Sequence, residues 1–213
     1  MQDYNAESVA TFDKNAARYA ERYFALSDYD HFFAWIAEAT PLGSVRFLDL
    51  ACGPGTVSAF IRRKRPEAEV WCVDRSPQML AEATRLVASV QVQQADCRDL
   101  STVPGLFDAA AFFFGLSYFD DTDARLVLSE LHRLLRPGAA LLLATVAGEP
   151  ALTGAQCNAA GDRVFSFYRR SQEIEQMMQH AGFVIEQTHQ IPSPANASVK
   201  TEDVLVRARA SPK

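Results

Sequence analysis

Phe47-Leu48-Asp49-Leu50-Ala51-Cys52-Gly53-Pro54-Gly55-Thr56 is the stretch that decides the fold. An apolar run enters a turn of small residues, and helix-forming residues follow. Gly53 and Gly55 lack Cβ atoms, so the backbone can bend sharply and a ligand can come close. The helix start beyond presents unpaired N–H groups and a partial positive charge. Strand, glycine turn and helix in that order open a βαβ unit.

The same alternation continues outward. Strands are expected over 45–50, 70–74, 90–95, 107–114, 139–146, 183–190 and 204–210, with helices between them. Ser76 reads as an N-cap with Pro77 at the first helical position. The helix near 121 presents Leu128, Leu131 and Leu135 on one stripe and ends at Pro137-Gly138. Ser171 reads as the cap of a helix that Gly182 stops. Residues 107–114 are almost unbrokenly apolar, as a central strand covered on both faces should be. The last two strands are joined by a Pro-, Ser- and Asn-containing loop short enough for an antiparallel return. Toward the N-terminus, 6–39 reads as helix with one break near Ser27-Asp28. The expected fold class is α/β: a seven-stranded, mostly parallel sheet with the last strand antiparallel.

The chain has 213 residues, enough for one full core and too few for two comfortable domains. Its net charge is −5, which argues against a nucleic-acid partner. The short basic run Arg62-Arg63-Lys64-Arg65 falls at a helix end, where cations suit the dipole. Of the four cysteines, Cys52, Cys72, Cys97 and Cys157, none forms a CxxC pair, and no Cys/His cluster has zinc spacing. Reduced thiols and no metal are expected. No run reaches about 18 apolar residues, and the first residues show no basic-then-apolar leader. A cytoplasmic protein without membrane contact is expected, as monomer or homodimer.

The turn must still be assigned a ligand. A dinucleotide fingerprint needs a third glycine, and Ser58 stands at that position. Asp49, just before the turn, would repel a pyrophosphate but can hold an ammonium group. Asp74 lies 19 residues after Gly55, at the spacing where a carboxylate on the second strand meets ribose hydroxyls. Asp96, after the third strand, can accept from an exocyclic adenine amine, while a neighbouring backbone N–H donates to the ring. Each aspartate alone reads more often as a turn or cap residue than as a ligand. Together they would lie on the carboxyl edge, where open α/β sheets bind ligands.

These segments resemble the motifs of the class I S-adenosylmethionine-dependent methyltransferases. Residues 48–56 are similar to the first motif, with Ala51 where many members have glycine. Residues 73–80, 94–100, 107–118 and 134–139 are similar to the second to fifth. The resemblance covers about residues 10 to 210 and implies a Rossmann-like three-layer sandwich with an N-terminal helical lid. The domain plan is one unit over 1–213: lid 1–42, cofactor-binding core 43–146, and an acceptor loop, last helix and last two strands over 147–213. It implies S-adenosylmethionine as cofactor, bound by Tyr19, Asp49, Ala51, Gly53, Gly55, Asp74, Arg75, Met79, Asp96, Cys97 and Phe113. Gly53 and Gly55 would meet the methionine part and Asp74 the ribose. Asp96 and Cys97 would face the adenine, with Met79 against the ring. Residues 12–19 are similar to a lid helix, in which Tyr19 approaches the cofactor's carboxylate end or simply packs.

Methyl transfer needs alignment and water exclusion more than a catalytic dyad, so no catalytic residue is assigned. The end of the fourth strand lacks an Asn-Pro-Pro-Tyr motif, which disfavours exocyclic base methylation. Ser117 and Tyr118 either line the acceptor pocket or pack in the loop. His31 lies near the lid or is an ordinary surface histidine. The long irregular segment 147–163 should shape the acceptor pocket. The acceptor is expected to be a small molecule, its accepting atom O, N or C. Two other classes remain open: an NAD(P)-dependent oxidoreductase and a non-catalytic binding subunit of the same fold.

Overall fold

Three helices come first in the computed structural model: α1 (Tyr4–Lys14), α2 (Ala16–Tyr23) and α3 (Asp30–Ala39). Then follow β1 (Arg46–Leu50), α4 (Thr56–Lys64), β2 (Glu69–Asp74), α5 (Pro77–Leu86), β3 (Val90–Gln94) and β4 (Phe107–Phe113). The second half holds α6 (Asp121–Leu134), β5 (Leu135–Ala147), β6 (Gly154–Cys157), β7 (Arg163–Ser166), α7 (Ser171–His180), β8 (Phe183–Pro192) and β9 (Glu202–Ala210). The structure describes residues 3–25, 27–157, 161–193 and 200–212. The Asn-containing part of the loop before β9, 194–199, lies outside the described residues.

The main sheet has the order β3-β2-β1-β4-β5-β9-β8. β1 to β5 are mutually parallel, and β9 runs antiparallel to both β5 and β8. This is the sheet expected from the alternation of apolar runs and helices. Period-two alternation sorts the side chains into two layers. Leu48, Leu50, Ala110, Phe112, Leu141 and Leu143 pack with Leu128, Leu131, Ile174 and Met178 of α6 and α7. Phe47, Ala109, Ala111, Leu142 and Leu205 pack with Phe33, Ile36, Phe60 and Ile61 of α3 and α4. Both faces are covered, which is why the central strands are apolar throughout.

Ser76 caps α5 as its sequence suggested, accepting from the Met79 N–H at 3.0 Å. Elsewhere local chemistry shifts the expected boundaries. A second helix break occurs at Asn15, whose amide donates to the Thr11 carbonyl at 2.9 Å and competes with helical bonding. Pro137-Gly138 sits inside β5 rather than before it. Between the pairs Phe107↔Leu135 and Ala109↔Ala140 the register shifts, and Gly138 at φ +79° absorbs the extra residues. Ser171 is the first helical residue of α7, not its cap. The Arg170 N–H there donates to the Glu173 carboxylate at 2.8 Å. The segment read as irregular, 147–163, supplies one strand of an antiparallel pair, β6–β7. α3 is not part of a cover: Phe32, Phe33, Ile36 and Ala37 are buried against the sheet. α1 and α2 line the cavities at the carboxyl edge, and α3 reaches the larger one only through Tyr29 and Phe33.

Candidate functional site

The glycine turn adopts left-handed backbone at three places: Ala51 (φ +52°), Gly53 (φ +53°) and Gly55 (φ +84°). The two glycines do different work. A Cβ on Gly53 would meet nothing within 4 Å, and this residue lines a cavity. A Cβ on Gly55 would lie 2.9 Å from Val87 Cγ2 and 3.3 Å from Ala83 Cβ. Gly55 therefore lets α4 start against α5 and is not among the cavity-lining residues. Gly55→Ala should lose about 2–4 kcal/mol from left-handed strain and overpacking. Thermal unfolding should fall by roughly 5–15 °C. An unchanged melting temperature would contradict this packing role.

The carboxylates hold the turn in shape. Asp49 is fully buried at the end of β1, and its Oδ2 accepts from the Ser58 N–H (3.0 Å) and hydroxyl (2.6 Å). Burial pushes its carboxyl up to about 7, despite the Ser58 hydrogen bonds that pull the other way. Asp74 ends β2. Its Oδ2 accepts from the Gly53 N–H at 2.9 Å and its Oδ1 from the Ser76 N–H at 2.8 Å, clamping the turn to the start of α5. Burial raises the Asp74 carboxyl too, offset in part by these backbone donors. Asp96 does not line either cavity. Its carboxylate is tied to Arg98 (2.7 Å) and Arg75 (3.3 Å); burial pushes it up, but Arg98 and Arg75 together hold it below the usual range.

Two adjoining cavities open on this edge. The smaller, about 100 Å³, is floored by Asp74, Met79 and Cys97 and roofed by Asn5, Val9 and Phe12 of α1. The larger, about 690 Å³, runs on past Asp49 and Pro54 toward α2 and the β6–β7 pair. Ala51, Gly53, Tyr19, Phe113 and Tyr118 border both. Burial raises the Tyr19 phenol to about 12 and pushes the Tyr118 phenol upward. Arg18 and Arg22, one turn apart on α2, line the larger cavity with no ion-pair partner among the described residues.

α1 is fastened at both flanks. Asp13 accepts from the Ser76 hydroxyl (2.7 Å) and the Gln78 N–H (3.0 Å). Ser8 accepts from the Phe165 N–H at 2.9 Å, and Tyr4 stacks on the Phe165 ring at 4.0 Å. Asp3 bonds Arg98 at 2.9 Å; burial pushes its carboxyl up, but Arg98, the Ala6 N–H and Arg75 together bring it down to about 2.

Of the residues singled out from sequence, Tyr19, Asp49, Ala51, Gly53, Asp74, Arg75, Met79, Cys97, Phe113 and Tyr118 are brought to the cavity walls. Gly55, Asp96, Ser117 and His31 are not among the lining residues. Ser117 is buried, its carbonyl accepting from the Phe167 N–H at 2.8 Å. His31 is exposed on α3 and packs on Phe32 at 3.9 Å. That helix turns its other face to the sheet, so His31 cannot reach the site. Sequence reasoning missed Tyr29, Phe114 and Asp203 as lining residues. Phe114 had a signal, its place at the end of β4. Asp203 had none, being an ordinary acidic residue before an apolar run. Among the described residues no three His, Cys, Asp or Glu side chains group as metal ligands. No helix among them is long and apolar enough to cross a membrane.

Residues 47–138, from β1 into β5, match a family model described as a methyltransferase domain. The chain is 37% identical over 102 residues to a demethylmenaquinone methyltransferase of Thermus thermophilus, covering 46% of each protein. It is 34% identical over 134 residues to a trans-aconitate 2-methyltransferase of Methylobacterium nodulans, covering 55% of this chain and 50% of that one. The chain thus spans about half the length of the curated relatives it matches. Among solved structures, the DhpI–SAH complex superposes with a TM-score of 0.72 over 100% of both chains at 17% identity, a likeness of fold. Motif order, sheet topology and glycine turn agree with the methyltransferase domain matched over residues 47–138.

Proposed function

We propose that this protein binds S-adenosylmethionine across the two cavities and passes its methyl group to a small-molecule acceptor. The observation that carries the reading is the turn at Gly53. Its backbone is bare toward the cavity, with the Asp74 carboxylate beneath it and the buried Asp49 carboxylate behind it. That donor set suits a nucleoside bearing an ammonium group. Asp74 would take the ribose, with Met79 and the Cys97 backbone beside the adenine. Asp49 would face the ammonium end through its cavity side. Arg18, next to Tyr19, offers a cation for the α-carboxylate. Asp96 would act at one remove, by holding Arg75 and Arg98 under α1.

When bound, the cofactor supplies an electrophilic methyl on a sulfonium with a good leaving group. The protein's own part is to align and to exclude water. α1 covers the nucleoside side, and the aromatic walls at Phe113, Phe114 and Tyr118 keep the transfer region dry. The larger cavity takes the acceptor, which suits a molecule with apolar, planar parts.

Isothermal calorimetry with S-adenosylhomocysteine and, separately, NADH tests this reading. S-adenosylhomocysteine should bind with a micromolar-range constant, on the order of −8 kcal/mol, and NADH should not bind measurably. Binding of NADH alone would replace the methyltransferase reading with a redox one.

A further inference from the structure

The larger cavity holds a pair of groups that cofactor binding does not use. Tyr29, at the start of α3, donates its phenol to Asp203 Oδ2 at 2.5 Å. Both side chains line the cavity. The Tyr29 ring stands edge-on to Phe113 at 5.2 Å and Phe114 at 5.5 Å, the residues that end β4 beside the glycine turn. Asp203 reaches this place through topology. β9 is the antiparallel strand, so its first residues pair with the last of β5, Asp203 opposite Val146, and stand on the carboxyl edge. The other cavity carboxylates are occupied: Asp49 by Ser58, Asp162 by Lys14. Among the described residues no hydrogen bond is made to Asp203 Oδ1.

We propose that Asp203 is the general base for methyl transfer, positioned by Tyr29, and that the acceptor is a planar molecule carrying a phenolic hydroxyl. The inference rests on the cofactor reading above. The acceptor O–H bond breaks, and its proton passes to Asp203 Oδ1. The freed electron pair on oxygen forms the bond to the methyl carbon, the carbon–sulfur pair returns to sulfur, and the sulfonium becomes a thioether. Asp203 then releases the proton to solvent. A carboxylate acceptor needs no base and would meet a like charge in this wall, so the pair selects for a nucleophile that arrives protonated. Burial raises the Asp203 carboxyl toward the working range of a base, with the Tyr29 hydrogen bond opposing. The titratable groups felt by this pair are Asp28, before α3, and Tyr19 of α2, both of which push the Tyr29 phenol upward together with burial and Asp203.

The test uses two probes of one shape, 1-naphthol and 1-naphthoate, on protein saturated with S-adenosylhomocysteine. Neutral and ionised naphthol differ in fluorescence emission, so the probe reports a nearby base without turnover. The wild type should bind 1-naphthol at least about tenfold more tightly than 1-naphthoate, with the emission of the naphtholate. Asp203→Asn should restore neutral-naphthol emission and remove the preference, while S-adenosylhomocysteine affinity stays unchanged. Radiolabelled methyl transfer to 1-naphthol should fall about 10²–10⁴-fold in kcat with KM nearly constant. Tyr29→Phe keeps the base and should cost about tenfold, with the pH–rate profile displaced. A merely structural role would weaken both probes alike and leave emission unchanged. Equal binding of 1-naphthoate, no binding of 1-naphthol, or an Asp203→Asn protein with wild-type emission overturns the inference. Absence of S-adenosylhomocysteine binding to the wild type would overturn the cofactor reading and this inference with it.

Discussion

Asp49→Asn is expected to stabilise the protein at pH 8 by up to about 4 kcal/mol and to weaken its hold on the cofactor. The asparagine keeps the shape, and its carbonyl oxygen can accept from both the Ser58 N–H and hydroxyl as the carboxylate does. What changes is the charge. The folded carboxyl titrates at about 7 against 3.8 for the free group, because burial penalises the ionised form. The folded chain therefore holds this proton more tightly than the unfolded one. The resulting stabilisation is complete below about pH 4 and disappears as pH rises through about 7. The variant carries no such dependence. Its melting temperature should exceed that of the wild type by about 10 °C at pH 8 and match it at pH 4. S-adenosylhomocysteine affinity should drop about 10–100-fold, since the ammonium loses its buried countercharge. Parallel melting curves at the two pH values would remove the claim that Asp49 is ionised at a cost.

Asp74→Ala should weaken S-adenosylhomocysteine binding by about 10²–10⁴-fold, measured by calorimetry. Two effects add. The ribose hydroxyls lose a charged acceptor, and the Gly53 and Ser76 amides lose the group that draws the turn against α5. Each freed amide costs about 1–3 kcal/mol unless water from the cavity reaches it. The stability loss should thus be smaller than the binding loss, because the site is open. Asp74→Asn separates the effects. It can keep one backbone bond and should recover part of the affinity. An Asp74→Ala protein that binds within about threefold of the wild type would take Asp74 out of the cofactor site.

The two experiments probe one design. Asp49 and Asp74 hold amides at the turn and the helix that follows it, and burial raises both carboxyls in the empty protein despite those hydrogen bonds. A cationic, hydroxyl-rich ligand relieves both. That coupling predicts that cofactor affinity rises with pH up to about 7, in step with Asp49 ionisation.

The sheet was legible in the sequence because its signals are local. An apolar run, a glycine turn at Gly53 and a capped helix at Ser76 follow from spacing and backbone freedom alone, and their repetition leaves few topologies open. The placing of Asp49 and Asp74 at the cavity wall was legible for the same reason, since each stands at or beside the carboxyl end of a strand. The features that sequence did not reveal depend on what packs around each residue. Gly55 fits against Val87, at the far end of α5, which no local pattern announces. Asp96 looked like an adenine partner, yet Arg98 and Arg75 claim its carboxylate. The β6–β7 pair lacked an apolar alternation, because it is held by α1 from outside and not by a core. Tyr29 and Asp203 are 174 residues apart, and no local pattern joins them. Only the reversal of the last strand puts Asp203 on the carboxyl edge, since chain direction decides at which edge of a sheet a strand's first residue lies.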